Sequence, residues 1–104
     1  MILYNVTIKV ETDTADAYIN WMKDEHIPDL MNTGLFADCR LCRLLEQDEA
    51  EGVTFAAQYY CNDIEQYNSY IDKYAAIMRE KAFKKFGNKF VAFRTVMEVI
   101  HSIK

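Results

Sequence analysis

The stretch LFADCRLCRLLEQDEAEGVTFAAQYYC, Leu35 to Cys61, holds the pair of strands around which the rest of the chain arranges itself. Leu35 to Gln47 and Val53 to Cys61 flank the acidic tip Asp48 to Gly52, whose glycine marks a turn, and the two runs read as an antiparallel hairpin. In the first run the alternation slips, since Arg40 and Arg43 have opposite parity, which predicts a bulge or a strand with two unequal environments.

Working outward, each side of the hairpin carries one helix and one strand. Met1 to Val10 alternates, with Ile2, Tyr4, Val6, Ile8 and Val10 on one face and Leu3, Asn5, Thr7 and Lys9 on the other. Thr12 or Asp13 is placed to cap a helix whose apolar stripe is Ala15, Tyr18, Ile19, Met22, His26 and Leu30. Pro28 lacks a backbone donor and predicts a kink or break near Glu25 to Ile27, and Gly34 closes the segment. Beyond the hairpin, Asn62 with Glu65 is a capping-box pattern for a second helix. Its inward stripe is Ile64, Tyr67, Asn68, Ile71, Tyr74, Ala75, Met78 and Ala82, and it stops at Gly87 after Lys84 and Lys85. Lys89 to Ile100 is the last strand.

The order βαββαβ predicts an α+β, ferredoxin-like domain over residues 1–104: a four-stranded antiparallel sheet with both helices on one face. Val91, Phe93, Met97 and Val99 are assigned to the helix-covered face with Tyr4, Phe55 and Tyr59. The opposite face then receives Leu3, Ala56, Tyr60, Phe90, Ala92, Val96 and Ile100, more apolar surface than water usually meets on a sheet. A second copy packed face to face would cover it, giving a two-fold homodimer with Leu3, Gln58, Tyr60, Arg94, Val96 and Glu98 at the interface.

Composition narrows the function classes. At 104 residues, 51% hydrophobic and with a single proline, the chain is one folded domain, too short to build a deep internal cavity easily. Twelve basic against sixteen acidic residues give a net charge of −4, which disfavours nucleic acid. The absence of a long apolar run disfavours a membrane span, and no leader-like segment is visible, so a cytoplasmic protein is expected. Cys39, Cys42 and Cys61 are odd in number and read as free thiols; on a strand Cys39 and Cys42 point to opposite faces, which disfavours redox or zinc chemistry. No cofactor or metal is expected, since Met22 and Leu30 occupy the positions four residues either side of His26.

His26 is the candidate catalytic side chain, on the inward stripe beside the Pro28 break, as an acid or base or as a donor to a carbonyl freed there. Tyr18, Tyr59, Tyr67 and Asn68 are candidate ligand-binding residues of the same layer; the alternative for the tyrosines is that their hydroxyls simply reach water at its rim. The expected function is binding of a small organic molecule between helices and sheet. The alternatives are a cofactor-independent enzyme of isomerase or monooxygenase type using His26, and a non-enzymatic ligand-sensing or interaction module.

Met1 to Val6, Trp21 to Leu30 and KFGNKFVAFRT (Lys85 to Thr95) resemble a small bacterial family, domain of unknown function 4286, over nearly the whole chain. That resemblance implies a ferredoxin-like, dimeric α+β barrel and no assigned activity. Trp21, His26 and Pro28 are also similar to the aromatic and His-x-Pro segment in the first helix of EthD-like dimeric barrels, with Asp29 standing between Pro28 and Leu30 here. Other dimeric barrels usually hold a pocket between each sheet and its own helices, and the resemblance implies that location here by analogy.

Overall fold

The computed structural model describes residues 1–103. Its order is β1 (Ile2–Val10), α1 (Ala15–Trp21), α2 (Ile27–Met31), β2 (Asp38–Arg43), β3 (Val53–Cys61), α3 (Ile64–Tyr70), α4 (Ala76–Phe86) and β4 (Phe90–Glu98). The strands form one antiparallel sheet in the order β2-β3-β1-β4, the ferredoxin-like arrangement expected. Strand β2 is shorter than the run Leu35 to Gln47, and its residues alternate regularly against β3 from Asp38↔Tyr60 to Arg43↔Phe55. That register puts Cys39 and Cys42 on opposite faces.

Each helical arm is continuous through a π-turn, Met22–His26 between α1 and α2 and Ile71–Ala75 between α3 and α4. The spacing of the buried stripe explains why. Tyr18, Met22, His26 and Leu30 follow one another at intervals of four, as do Tyr70, Tyr74, Met78, Ala82 and Phe86. At 3.6 residues per turn such a stripe drifts by about 40° per step, and one extra residue in a π-turn takes up about 100° of it. Pro28 therefore does not end the arm, and the departure from regular helix expected near Glu25 to Ile27 is the π-turn ahead of it. Pro28 lies at the start of α2, and the π-turn is closed by Ile27 N–H donating to Met22 O, five residues back.

Two caps differ from expectation. Asp63 rather than Asn62 caps α3, accepting from Gln66 N–H at 2.9 Å, while the Gln66 side chain accepts from Asn62 N–H at 3.0 Å. The pattern is thus a box shifted by one residue. Neither Thr12 nor Asp13 caps α1, which is preceded by a 3-10 turn, Thr12–Thr14; the Thr12 hydroxyl instead donates to Glu49 O in the hairpin tip. Gly87 ends α4 at φ 58°, ψ −129°, a conformation that favours glycine.

The largest correction concerns β4. It pairs with β1 through Val10↔Phe90, Ile8↔Ala92, Val6↔Arg94, Tyr4↔Val96 and Ile2↔Glu98, so Phe90, Ala92, Arg94, Val96 and Glu98 lie on the helix-covered face. Val91, Phe93, Thr95 and Met97 face outward with Leu3 and Asn5. Both parities of β4 carry large apolar residues, so hydrophobic pattern alone does not choose between them. The short turn out of α4 does: Lys89 N–H donates to Phe86 O at 3.1 Å, and Glu11 N–H to Lys89 O at 2.9 Å, which lays Phe90 beside Val10.

The core fills the layer between sheet and arms, and Tyr4 stands at its centre. The Tyr4 ring lies 5.3 to 6.4 Å from those of Phe36, Tyr59, Tyr67 and Tyr70. A second aromatic group, Tyr18, Trp21, Phe86 and Phe90, packs the other end. Among the described residues no helix is long and apolar enough to cross a membrane.

Candidate functional site

Between the two aromatic groups the packing leaves a small cavity of about 30 Å³. Tyr4, Ala57, Tyr59 and Arg94 line it from the sheet, Tyr18, Met22 and His26 from the first arm, and Tyr70, Met78 and Arg79 from the second. That is room for water-sized occupants rather than a closed-off large ligand. Met22 and Met78 form part of its wall, and the unbranched thioether chain repacks more readily than a branched residue.

His26 owes its placement to the π-turn. Trp21 and His26 are five residues apart, and the wider turn stacks their rings at 4.7 Å and 26°. Tyr18 and Phe86 pack against Trp21 in turn, which fixes the imidazole orientation. His26 Nδ1 is buried and has no hydrogen-bond partner within the protein, so that atom does not satisfy a carbonyl freed at Pro28. Burial holds the His26 pKa down at about 4, with Asp29 opposing the shift and Arg94 and Lys81 adding to it. The ring is therefore neutral at pH 7.

A pH dependence of stability follows. Between about 4 and 6.5 an unfolded histidine binds protons that folded His26 does not. Its contribution is thus complete above pH 6.5 and is lost as pH falls toward 4, by at most about 3 kcal/mol. Urea midpoints of the wild type are expected to fall across that window, and those of His26→Gln to fall less.

Tyr59 supplies the second orphan. The residue is 1% exposed, and its hydroxyl is buried without a partner within the protein. The hydroxyl does not reach water at the rim, contrary to that alternative. Burial raises its pKa strongly, and Tyr18, 3% exposed, is pushed up to about 12. Both hydroxyls stay protonated and are hydrogen-bonding groups, not phenolate bases.

The sequence candidates divide. His26, Tyr18 and Tyr59 converge on the cavity. Tyr67 packs on Tyr4 at 5.3 Å but does not line it, and Asn68 is exposed on α3, away from it. Tyr70 takes the place expected of Asn68, and the signal for it is the four-residue spacing that runs from Tyr70 through Tyr74 to Met78. Arg94, expected at the outer interface, instead lines the cavity; Val96 and Glu98 share its face. Leu3, Gln58 and Tyr60 do lie on the outer face. No group of three His, Cys, Asp or Glu side chains able to hold a metal occurs among the described residues. Burial, with Asp38 and Cys42 nearby, pushes the Cys39 thiol up to about 12, leaving it an unreactive thiol.

A family model described as Domain of unknown function (DUF4286) matches residues 1–100. No curated protein matches the sequence. Among solved structures the chain is similar to a dimeric ferredoxin-like protein from an uncultured marine organism, with a TM-score of 0.80 and 9% identity over 98% of this chain and 97% of that one. It is similar to HapK from Hahella chejuensis, with a TM-score of 0.74 and 13% identity over 100% and 97% of the two chains. An EthD-family protein from Bacillus halodurans C-125 has a TM-score of 0.66 and 13% identity over 96% of this chain and 100% of that one. At these identities the likeness is one of fold.

Proposed function

The chain belongs to the family described as Domain of unknown function (DUF4286), and on that footing we propose that it binds a small organic molecule between its helices and sheet, as one half of a homodimer whose sheets face each other. The observation that carries the binding reading is the pair of orphaned polar atoms, His26 Nδ1 and Tyr59 Oη, on residues lining one cavity. Leaving a buried donor or acceptor unsatisfied costs about 1–3 kcal/mol. A layer built only for stability would place apolar side chains there. A ligand that hydrogen-bonds both atoms removes that penalty, and movement of Met22 and Met78 makes room for its body.

Acid or base catalysis by His26 fits less well, because a pKa near 4 makes the imidazole a weak base at neutral pH. The outer face supports the dimer. Val91 is 54%, Phe93 68% and Met97 43% exposed there, and the similar protein from the marine organism is a dimeric one.

Screening a panel of aromatic and carbonyl compounds by NMR tests the binding reading. Ligands are expected to move the His26 ring signals and the Met22 methyl signal together. Tyr59→Phe is expected to weaken their binding by about 5- to 30-fold, the loss of one hydrogen bond worth about 1–2 kcal/mol. The same variant should be no less stable, since the hydroxyl it removes has no partner. A panel that moves neither signal would leave the cavity a packing feature.

A further inference from the structure

Resting on the binding reading above, we infer that the ligand of this cavity is an organic anion, with a carboxylate held at the mouth by Arg94 and Arg79. The chain as a whole carries a formal charge of −4. The cavity wall reverses that sign: it includes Arg79 and Arg94, and no Asp or Glu among the described residues. Both arginines belong to exposed residues that also line the cavity, which puts them where it meets solvent.

They approach from opposite layers, Arg94 from β4 on the sheet and Arg79 from α4. Of the other cations, three are ion-paired, Arg43 with Glu49, Lys81 with Asp29 at 3.5 Å and Lys84 with Glu80 at 3.0 Å, and none of these three lines the cavity. Neither Arg79 nor Arg94 has an ion-pair partner among the described residues. The planar guanidinium matches a carboxylate with two parallel hydrogen bonds, a geometry a lone lysine does not offer. The same wall carries aromatic rings and methionines, which suit an apolar body, and His26 and Tyr59, whose unpartnered polar atoms suit a further oxygen on it.

The test compares carboxylates with their uncharged amides of the same shape: acetate against acetamide, and benzoate against benzamide. Dissociation constants are read by NMR from the His26 and Met22 signals in the wild type, Arg94→Gln, Arg94→Lys and Arg79→Gln. The expected result is a preference of at least about tenfold for the carboxylate in the wild type. Arg94→Gln should abolish most of it, Arg94→Lys should retain part, and Arg79→Gln should reduce it. Amides binding as well as carboxylates would overturn the anion assignment while leaving a binding pocket. A preference untouched by either glutamine variant would overturn the role of the arginines. If no probe moves the cavity signals, the pocket reading fails, and this assignment with it.

Discussion

Replacing Tyr4 with alanine is expected to remove about 3–5 kcal/mol of folding stability, the range for deleting a large buried aromatic side chain. The reason lies in where the ring sits. Tyr4 is 2% exposed on β1, the strand flanked by β3 and β4, so the deletion opens the middle of the sheet. Its ring touches aromatic neighbours from three directions: Tyr59 on the sheet, Phe36 in the connection into β2, and Tyr67 and Tyr70 on α3. None of these can collapse into the void without giving up another contact. Domains of this size are stable by about 5–15 kcal/mol, so the variant should lose much of its margin and melt about 15 °C or more below the wild type. Tyr4→Phe, which keeps the ring, should lose under about 1.5 kcal/mol. Urea unfolding followed by circular dichroism measures both; a Tyr4→Ala loss below about 1 kcal/mol would show that the aromatic cluster is not the centre of the core.

Phe93→Arg is expected to convert the proposed dimer to a monomer while leaving the fold intact. Phe93 is 68% exposed in the single chain, and substitutions at such positions shift stability by about 0.5 kcal/mol or less. In a face-to-face dimer the same position is covered, and a two-fold axis introduces the new guanidinium twice. Desolvating those charges without partners should raise the dissociation constant at least about 100-fold, or about 3 kcal/mol. Light scattering after gel filtration reads the mass, and circular dichroism the fold. A variant that stays dimeric would place the interface elsewhere. A wild type that is monomeric at high concentration would remove the face-to-face arrangement altogether.

The two positions illustrate what pattern reading does and does not reach. Tyr4 was legible because β1 has apolar residues on one face and Asn5, Thr7 and Lys9 on the other, so a single register buries it. Phe93 was assigned to the wrong face because β4 offers Phe90, Ala92 and Val96 against Val91, Phe93 and Met97, and either set satisfies a core. The tie is broken by the length of the Gly87 turn, a matter of backbone geometry. The same parity hides Arg94, which changes the cavity from one lined by tyrosine and histidine alone among its polar residues into one whose wall also includes arginine.

His26 and Tyr18 are legible because they fall on the apolar stripe of the first arm, and Tyr59 because strand alternation puts it on the helix-covered face of the sheet. Asn68 was drawn in, and Tyr70 left out, by applying a uniform 3.6-residue period to an arm that contains a π-turn. Stripes spaced by four in both arms carried that information; Tyr70, Tyr74, Met78, Ala82 and Phe86 make the longer of the two. The cap misread at Asn62 has a smaller cause, since Asn62 and Asp63 are both good capping residues and only the partner Gln66 distinguishes them.

The binding proposal claims that His26 Nδ1 and the Tyr59 hydroxyl lack protein partners because a ligand satisfies them. The most direct measurement is the ring-nitrogen spectrum of 15N-labelled His26 at pH 7, recorded on the free protein and again with a compound from the panel. The claim predicts a neutral imidazole in the free protein, and a shift of the Nδ1 resonance as the ligand binds. A His26 that titrates near 6.5 and keeps the same Nδ1 resonance with every compound would contradict it.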